Sequence, residues 1–107
     1  GKVVCTVNVL NGREKEARMY VNGGSAGHLP GGPSRLIDSS GNQWPVEEIE
    51  IGKQRRSYVS ERFLPQLPLN VHFIAKDLPD SVTSVSLEIG ISGFSKSPVV
   101  RDIGVTR

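Results

Sequence analysis

The chain has 107 residues, a length that fits a single domain (residues 1–107) with one core. Its 13 Lys and Arg against 11 Asp and Glu leave a formal charge of +2, short of the basic excess that drives nucleic-acid binding on its own. The single cysteine excludes an internal disulfide and a cysteine-based zinc site within one chain. No apolar run approaches the roughly 18 residues of a membrane span, so no transmembrane segment is predicted.

The first third of the chain predicts two strands and a long loop. Val3, Cys5, Val7 and Val9 alternate with other residues, the period of a strand with one buried face, and residues 17–21 continue this alternation. Cys5 is therefore expected to be a buried, unreactive thiol. Asn11 to Glu16 connects the two strands, whose mutual pairing the sequence does not determine. Asn22 to Pro33 holds five Gly and two Pro in twelve residues and predicts an exposed, flexible loop.

The middle of the chain alternates between short strands and turns. Ser34 to Asp38 predicts a short strand, and Ser39 to Asn42 predicts a turn. Asp38 to Asn42 holds several oxygen ligands close together, but an Asx-type turn is favoured there over calcium binding. Ile49 and Ile51 predict a strand that ends in a solvated basic loop at residues 53–56. Ser57 to Leu64 predicts an edge strand or an irregular segment, because Pro65 and the proline that follows it would end any helix.

The stretch from Leu67 to Gly90 is the best specified part of the sequence. Val71 and Phe73 belong to one alternating run, and Leu87 and Ile89 belong to another. A turn rich in Asp and Pro separates the runs, so the stretch predicts a β-hairpin. These four residues are predicted to lie in the core. With a closing strand near residues 99–105, the chain predicts an all-β fold of seven or eight strands, arranged as an antiparallel β-sandwich of two sheets.

Two segments carry a resemblance to a known family. DSSGNQWPV at residues 38–46 and FLPQLPLNVHFIAKDLPDSVTSVSLEI at residues 63–89 resemble the uncharacterised immunoglobulin-like β-sandwich domains of exported bacterial proteins and lipoproteins. The resemblance covers about half of the chain. It implies a scaffold of strands and turns, an extracytoplasmic binding or adaptor module, and no catalytic residue. A cytoplasmic location remains open.

Candidate binding residues fall in three places, and each has a plain structural alternative. His28 lies in the glycine-rich loop, which is the leading candidate for recognition because loops on a rigid scaffold often carry binding residues. Trp44 fits core packing better than an exposed platform for a sugar ring. The third place combines basic and aromatic side chains, namely Lys53, Arg55, Arg56, Tyr58 and Arg62. Because three glutamates precede it, an exposed charged edge is favoured there over a nucleic-acid surface.

The sequence thus predicts a binding or protein-interaction module without enzymatic activity, metal or cofactor. The two histidines stand in no recognisable catalytic motif. The partner is expected to be another protein or a polymer. A carbohydrate-binding module using Trp44 with Tyr20 or Tyr58 is one alternative, and a nucleic-acid-binding domain using Lys53 to Arg62 is a less favoured one. Ligand identity and oligomeric state stay undetermined at this level.

Overall fold

The computed structural model describes residues 2–12, 14–94 and 96–105, and within them it shows an all-β protein. The described residues form eleven strands: β1 (Val3–Val9), β2 (Ala17–Asn22), β3 (Arg35–Ile37), β4 (Gln43–Pro45), β5 (Glu48–Ile51), β6 (Gln54–Arg56), β7 (Tyr58–Phe63), β8 (Leu69–Ala75), β9 (Ser84–Glu88), β10 (Gly90–Ile91) and β11 (Val99–Gly104). The one helical segment among these residues is a three-residue 3₁₀ turn at Gly24–Ala26, and none of them forms a helix able to span a membrane.

The strands form three antiparallel sheets. The first has the order β1-β8-β5-β6, the second β10-β2-β7, and the third β11-β9-β3-β4. The all-β prediction is confirmed, whereas the prediction of seven or eight strands in two sheets is too low in both numbers. Four of the strands contain only two or three residues, which is too short for alternation to be recognised in a sequence.

The alternating residues of the long strands meet in one core. In the first sheet β1 lies antiparallel to β8, with Cys5 opposite Phe73, and β5 lies on the other side of β8, with Ile49 opposite Phe73. Phe73, Val71, Leu87 and Ile89 are between 0% and 4% exposed, which confirms the predicted core. Cys5 is buried as expected, and its burial raises the pKa of its thiol.

The hairpin predicted between residues 67 and 90 is wrong, because β8 lies in the first sheet and β9 in the third. The strand β2 lies in a separate sheet from β1: β2 pairs with β7 and β10, and β1 pairs with β8 alone. Residues 57–64 contain the edge strand β7, one of the two structures that the sequence favours there. The basic segment after β5 is not a loop, because Gln54–Arg56 forms the strand β6 and pairs with β5 across a turn at Gly52. Gly1, Arg13, Ser95, Thr106 and Arg107 lie outside the described residues, so the predicted connection at residues 11–16 is observed only in part.

The glycine-rich segment at residues 22–33 is only partly exposed, whereas its composition predicts an exposed loop, because it packs against neighbouring strands. The side chain of Asn22 is fully buried and donates hydrogen bonds to the carbonyls of Pro30 and Gly32, each at 2.9 Å. The backbone N–H of Gly23 donates to the carbonyl of Ser57 at 2.6 Å. A β-carbon on Gly31 would lie 2.5 Å from the carbonyl carbon of Ile91, so glycine allows the segment to pack closely.

Candidate functional site

The second sheet presents an exposed face that combines two tyrosines and two arginines. In the register of β2 and β7, Arg18 lies opposite Arg62, and Tyr20 lies opposite Ser60. Neighbouring positions on both strands, among them Met19, are buried in the core. Because successive side chains of a strand point to opposite faces, the polar set projects away from the core. We call Arg18, Tyr20, Tyr58 and Arg62 the tyrosine–arginine face.

The two tyrosines are in contact with each other. The ring centroids of Tyr20 and Tyr58 are 6.3 Å apart and the ring planes are inclined by 41°, within the range of favourable aromatic pairs. Tyr58 remains 37% exposed at the start of the edge strand. The pair therefore offers an ordered aromatic surface to solvent. Ligand binding would cost these rings little conformational entropy, because each ring already contacts the other.

The two arginines form a cross-strand pair of like charge. Nη1 of Arg18 donates to Oγ of Ser60 at 3.2 Å, and Nη1 of Arg62 lies 3.9 Å from Oε1 of Glu16. The Arg62 and Glu16 side chains are 62% and 52% exposed, so solvent screens their attraction. Like charges directly opposite each other on a sheet are unfavourable. The arrangement thus leaves positive charge available for an anion.

A cleft of about 580 Å³ adjoins this face through Arg62. It lies between the β5–β6 turn, the end of β7 and the start of β8, and its volume is in the range of sites for small ligands. Its lining is Ile51, Gly52, Lys53, Gln54, Glu61, Arg62, Leu64, Leu67, Leu69, Asn70 and His72. Gln54 donates to Glu61 at 3.1 Å, which joins β6 to β7, and Leu64 and Leu67 stay 45% and 50% exposed. The cleft offers a partly apolar surface beside a positive rim.

The structure brings some of the predicted basic and aromatic residues together and separates others. Lys53 and Arg62 line the same cleft, and Tyr58 lies on the same strand as Arg62. Arg55 and Arg56 are adjacent on β6 and point to opposite faces of the first sheet. The basic side chains from Lys53 to Arg62 therefore do not all share one face. The strand β6, which carries Arg55 and Arg56, lies at an edge of the first sheet.

The acids upstream of the basic segment neutralise part of it. Nη2 of Arg55 lies 3.3 Å from Oε1 of Glu48, and Nζ of Lys76 lies 3.5 Å from the same oxygen. Burial raises the pKa of Glu48, but the charges and hydrogen bonds of Arg55 and Lys76 outweigh it, so the pKa is lowered overall. Lys76 also lies 3.8 Å from Glu47. These cations are already paired within the protein and add little to an external anion site.

Trp44 and His28 lie apart from the tyrosine–arginine face. Trp44 is on β4 in the third sheet, where its ring is partly buried against the core, as its favoured reading predicts. A carbohydrate platform that unites Trp44 with the tyrosines on one sheet is not formed, because Tyr20 and Tyr58 belong to the second sheet. His28 is exposed in the glycine-rich segment.

Arg18 was not identified from the sequence, and Tyr20 was named there only as part of a carbohydrate platform with Trp44. Their alternation with buried residues of β2 indicates a shared solvent face. Their proximity to Tyr58 and Arg62 depends on the pairing of β2 with β7, about forty positions later in the chain, for which the sequence carries no local signal.

The polar clusters elsewhere in the described chain have structural explanations. In residues 2–12, 14–94 and 96–105, no three His, Cys, Asp or Glu side chains come close enough to hold a metal ion. The carboxylate of Asp38 accepts hydrogen bonds from the backbone N–H groups of Ser40 and Asn42, which confirms the predicted turn. The hydrogen bond from the Asn42 side chain is the largest cause of a lowered pKa at Asp38, and the backbone donors assist it against desolvation.

A polar row on the first sheet superficially resembles a catalytic arrangement. Oγ1 of Thr6 lies 2.7 Å from Nδ1 of His72, and Glu50 is the register partner of His72 on the neighbouring strand. The contacts of the described residues include no hydrogen bond between His72 and a carboxylate. A nucleophilic triad needs such a bond to orient its histidine, so the row is explained as cross-strand polar contacts.

Comparison with known proteins gives no match to this chain, whether to a family model, to a curated protein or to a solved structure. The fold itself establishes the structural class of the protein, which is all-β with antiparallel sheets.

Proposed function

We propose that this chain is a non-enzymatic binding module that holds an acidic polysaccharide on its tyrosine–arginine face. The observation that supports the proposal is the placement of Arg18 directly opposite Arg62 beside the Tyr20–Tyr58 pair. A guanidinium binds a carboxylate or a sulfate through two parallel hydrogen bonds. The negative face of a tyrosine ring attracts the C–H hydrogens of a sugar. An anion between the arginines also relieves their mutual repulsion.

The charge distribution favours an acidic polysaccharide over a nucleic acid. A nucleic-acid surface typically engages roughly 6 to 10 phosphates, each matched by a cation. Here the formal charge is +2, and Arg55 and Lys76 are already paired with glutamates. Arg18 and Arg62, with Lys53 in the cleft that Arg62 also lines, are enough cations to hold one or two carboxylates of a sugar polymer. Single-stranded nucleic acid is the second candidate, because bases also stack on tyrosine.

The immunoglobulin-like resemblance supports a location outside the cytoplasm. It rests on the sequence segments at residues 38–46 and 63–89, which include the strands β4, β8 and β9. An immunoglobulin-like module of an exported protein would meet acidic polysaccharides at a cell surface. The proposal leaves the other surfaces of the domain free to contact a partner protein.

Calorimetric titration with a galacturonic acid hexasaccharide at low salt tests the proposal. We expect measurable binding by the native chain and a loss of about tenfold or more in the double variant Arg18→Ser/Arg62→Ser, since each lost charge-assisted contact contributes on the order of 1.5 kcal/mol or more. Tyr58→Phe should retain the affinity and Tyr58→Ala should lower it, because stacking needs the ring and not the hydroxyl. Arg101→Ser, at an exposed arginine of β11, is the matched control.

Stability supplies an independent readout of the same variants. The variant Arg18→Ser/Arg62→Ser should melt at the same temperature as the native chain or slightly higher, because it removes the repulsion between the two arginines. Absence of hexasaccharide binding up to millimolar concentration, or an equal loss in Arg101→Ser, would contradict the proposal. Binding of a dodecamer of thymidylate in its place, with the same dependence on Arg18 and Arg62, would favour the second candidate.

A further inference from the structure

A narrow apolar groove runs along the free edge of β1, on the first sheet. Its volume is about 210 Å³, and its lining includes Val7, Asn8, Val9 and Leu10, four consecutive residues. The first three of these end β1, and since consecutive residues of a strand point to opposite faces, a groove that touches all three follows the edge of the strand. We call this feature the β1 groove. Among the described residues, no strand pairs with this edge.

The opposite wall of the β1 groove is also apolar. It is formed by residues between the end of β9 and the start of β11, namely Ile89, Ile91, Phe94, Pro98 and Val100. Leu10, Phe94 and Val100 are 51%, 48% and 37% exposed. Three large apolar side chains thus surround one groove and remain in contact with water, whereas scattered single exposed residues would need no explanation.

The edge of β1 differs from the other sheet edges of the described chain in lacking protection. Edge strands avoid pairing with other chains by charged residues, prolines, bulges or short length. β10 has two residues, and β4 has three including Pro45. Charged residues lie on β6 and β7, and β11 has both charges and a bulge between Val100 and Ile103. β1 has seven residues, Val3–Val9, without charge, proline or bulge.

The charges at the two ends of the β1 edge indicate the chemistry of an occupant. Lys2 directly precedes β1, at the end of the strand away from the groove, and Lys96 lies between the groove residues Phe94 and Pro98. Residues 2–12 and 89–100 contain no other charged residue. A second copy of the chain would bring the same cations together, whereas a partner segment with acidic ends would complement them.

We propose that the β1 groove binds an extended segment of another protein, which adds a strand to the first sheet. Its backbone would pair with the free N–H and C=O groups of β1, as in known cases of β-strand addition. Its alternate apolar side chains would lie against Leu10, Phe94 and Val100. Its acidic flanks would lie near Lys2 and Lys96. This site is separate from the tyrosine–arginine face and does not depend on the function proposed for it.

The test uses the whole chain and a synthetic peptide, acetyl-Glu-Val-Thr-Val-Thr-Val-Glu-amide, in a titration followed by ¹⁵N–¹H correlation spectra. We expect saturable shifts in residues 3–10 and 94–100. The double variant Leu10→Ser/Phe94→Ser should weaken binding about tenfold or more, because both side chains contribute apolar area to the contact. Leu64→Ser/Leu67→Ser, which alters equally exposed residues of the cleft near β7, is the matched control and should bind as the native chain does.

Two further comparisons separate strand addition from other binding. A peptide with proline in place of the central valine should not bind, since proline cannot donate to a β-ladder. Lys96→Glu, at an exposed residue, should weaken binding several-fold at low salt and little at high salt. The proposal is overturned if the peptide causes no shifts at millimolar concentration, or if the control variant loses as much affinity as Leu10→Ser/Phe94→Ser. It is also overturned if the shifts in residues 3–10 depend on protein concentration alone and the chain sediments as a dimer, because a second copy then occupies the groove.

Discussion

Replacement of Asn22 by alanine should destabilise the domain substantially, because this side chain holds the glycine-rich segment to the second sheet. Asn22 is fully buried, and its amide nitrogen donates to the carbonyls of Pro30 and Gly32 at 2.9 Å each. A hydrogen bond of this kind contributes about 1 kcal/mol net, and a buried acceptor left without a donor adds to the loss. We therefore expect Asn22→Ala to lower the free energy of unfolding by about 2 to 3 kcal/mol, out of the roughly 5 to 15 kcal/mol of a typical domain.

Urea denaturation followed by circular dichroism measures this change, provided that the slope of the transition is unchanged between variants. Asn70→Ala is the matched control, since its side chain accepts one exposed hydrogen bond from Asn8 and should change the stability by less than about 0.5 kcal/mol. Asn22→Asp should destabilise more than Asn22→Ala, because it directs an acceptor at two carbonyl oxygens. A loss below about 1 kcal/mol in Asn22→Ala would show that the segment is a mobile connector, as its composition predicts.

Three other changes have expected outcomes. Phe73→Ala should lower the free energy of unfolding by about 3 to 5 kcal/mol, measured in urea, because the ring is fully buried. Gly31→Ala should lower the melting temperature more than Gly41→Ala does; both glycines have positive φ, but a β-carbon meets other atoms only at Gly31. The hydrogen bond from the Asn42 side chain is the chief cause of a lowered pKa at Asp38 in the folded protein. The stabilising contribution of Asp38 is therefore present above its unfolded-state pKa and is lost as the pH falls through its folded-state pKa. Asp38→Asn should accordingly reduce the fall in the urea midpoint on acidification.

The sequence predicts the core strands well because their residues alternate over long runs. Val71 and Phe73, like Leu87 and Ile89, are buried as their alternation indicates. The sequence predicts strand partners poorly, since no local pattern shows that β1 pairs with β8 or β2 with β7. The number of sheets and the composition of the tyrosine–arginine face both follow from these long-range pairings.

The error at residues 22–33 has a different physical cause. Glycine and proline exclude a regular strand or helix, and that inference is correct apart from one 3₁₀ turn. The same residues permit close backbone approach, as at Gly31, so a segment without regular structure can still be packed. Composition alone does not separate these two situations. The residue that could have indicated the packing is Asn22, because its side-chain amide has two donors and can bind two backbone carbonyls.

The pairing of β1 with β8 also determines the order in which the domain can fold. Val3 lies opposite Ala75, so the first strand has no partner until about three quarters of the chain is available. Only short hairpins, such as β3 with β4 and β5 with β6, can form from neighbouring segments. Folding dominated by such distant contacts is slow, in the millisecond to second range. During synthesis, both edges of β1 are therefore exposed until β8, its native neighbour, has been made.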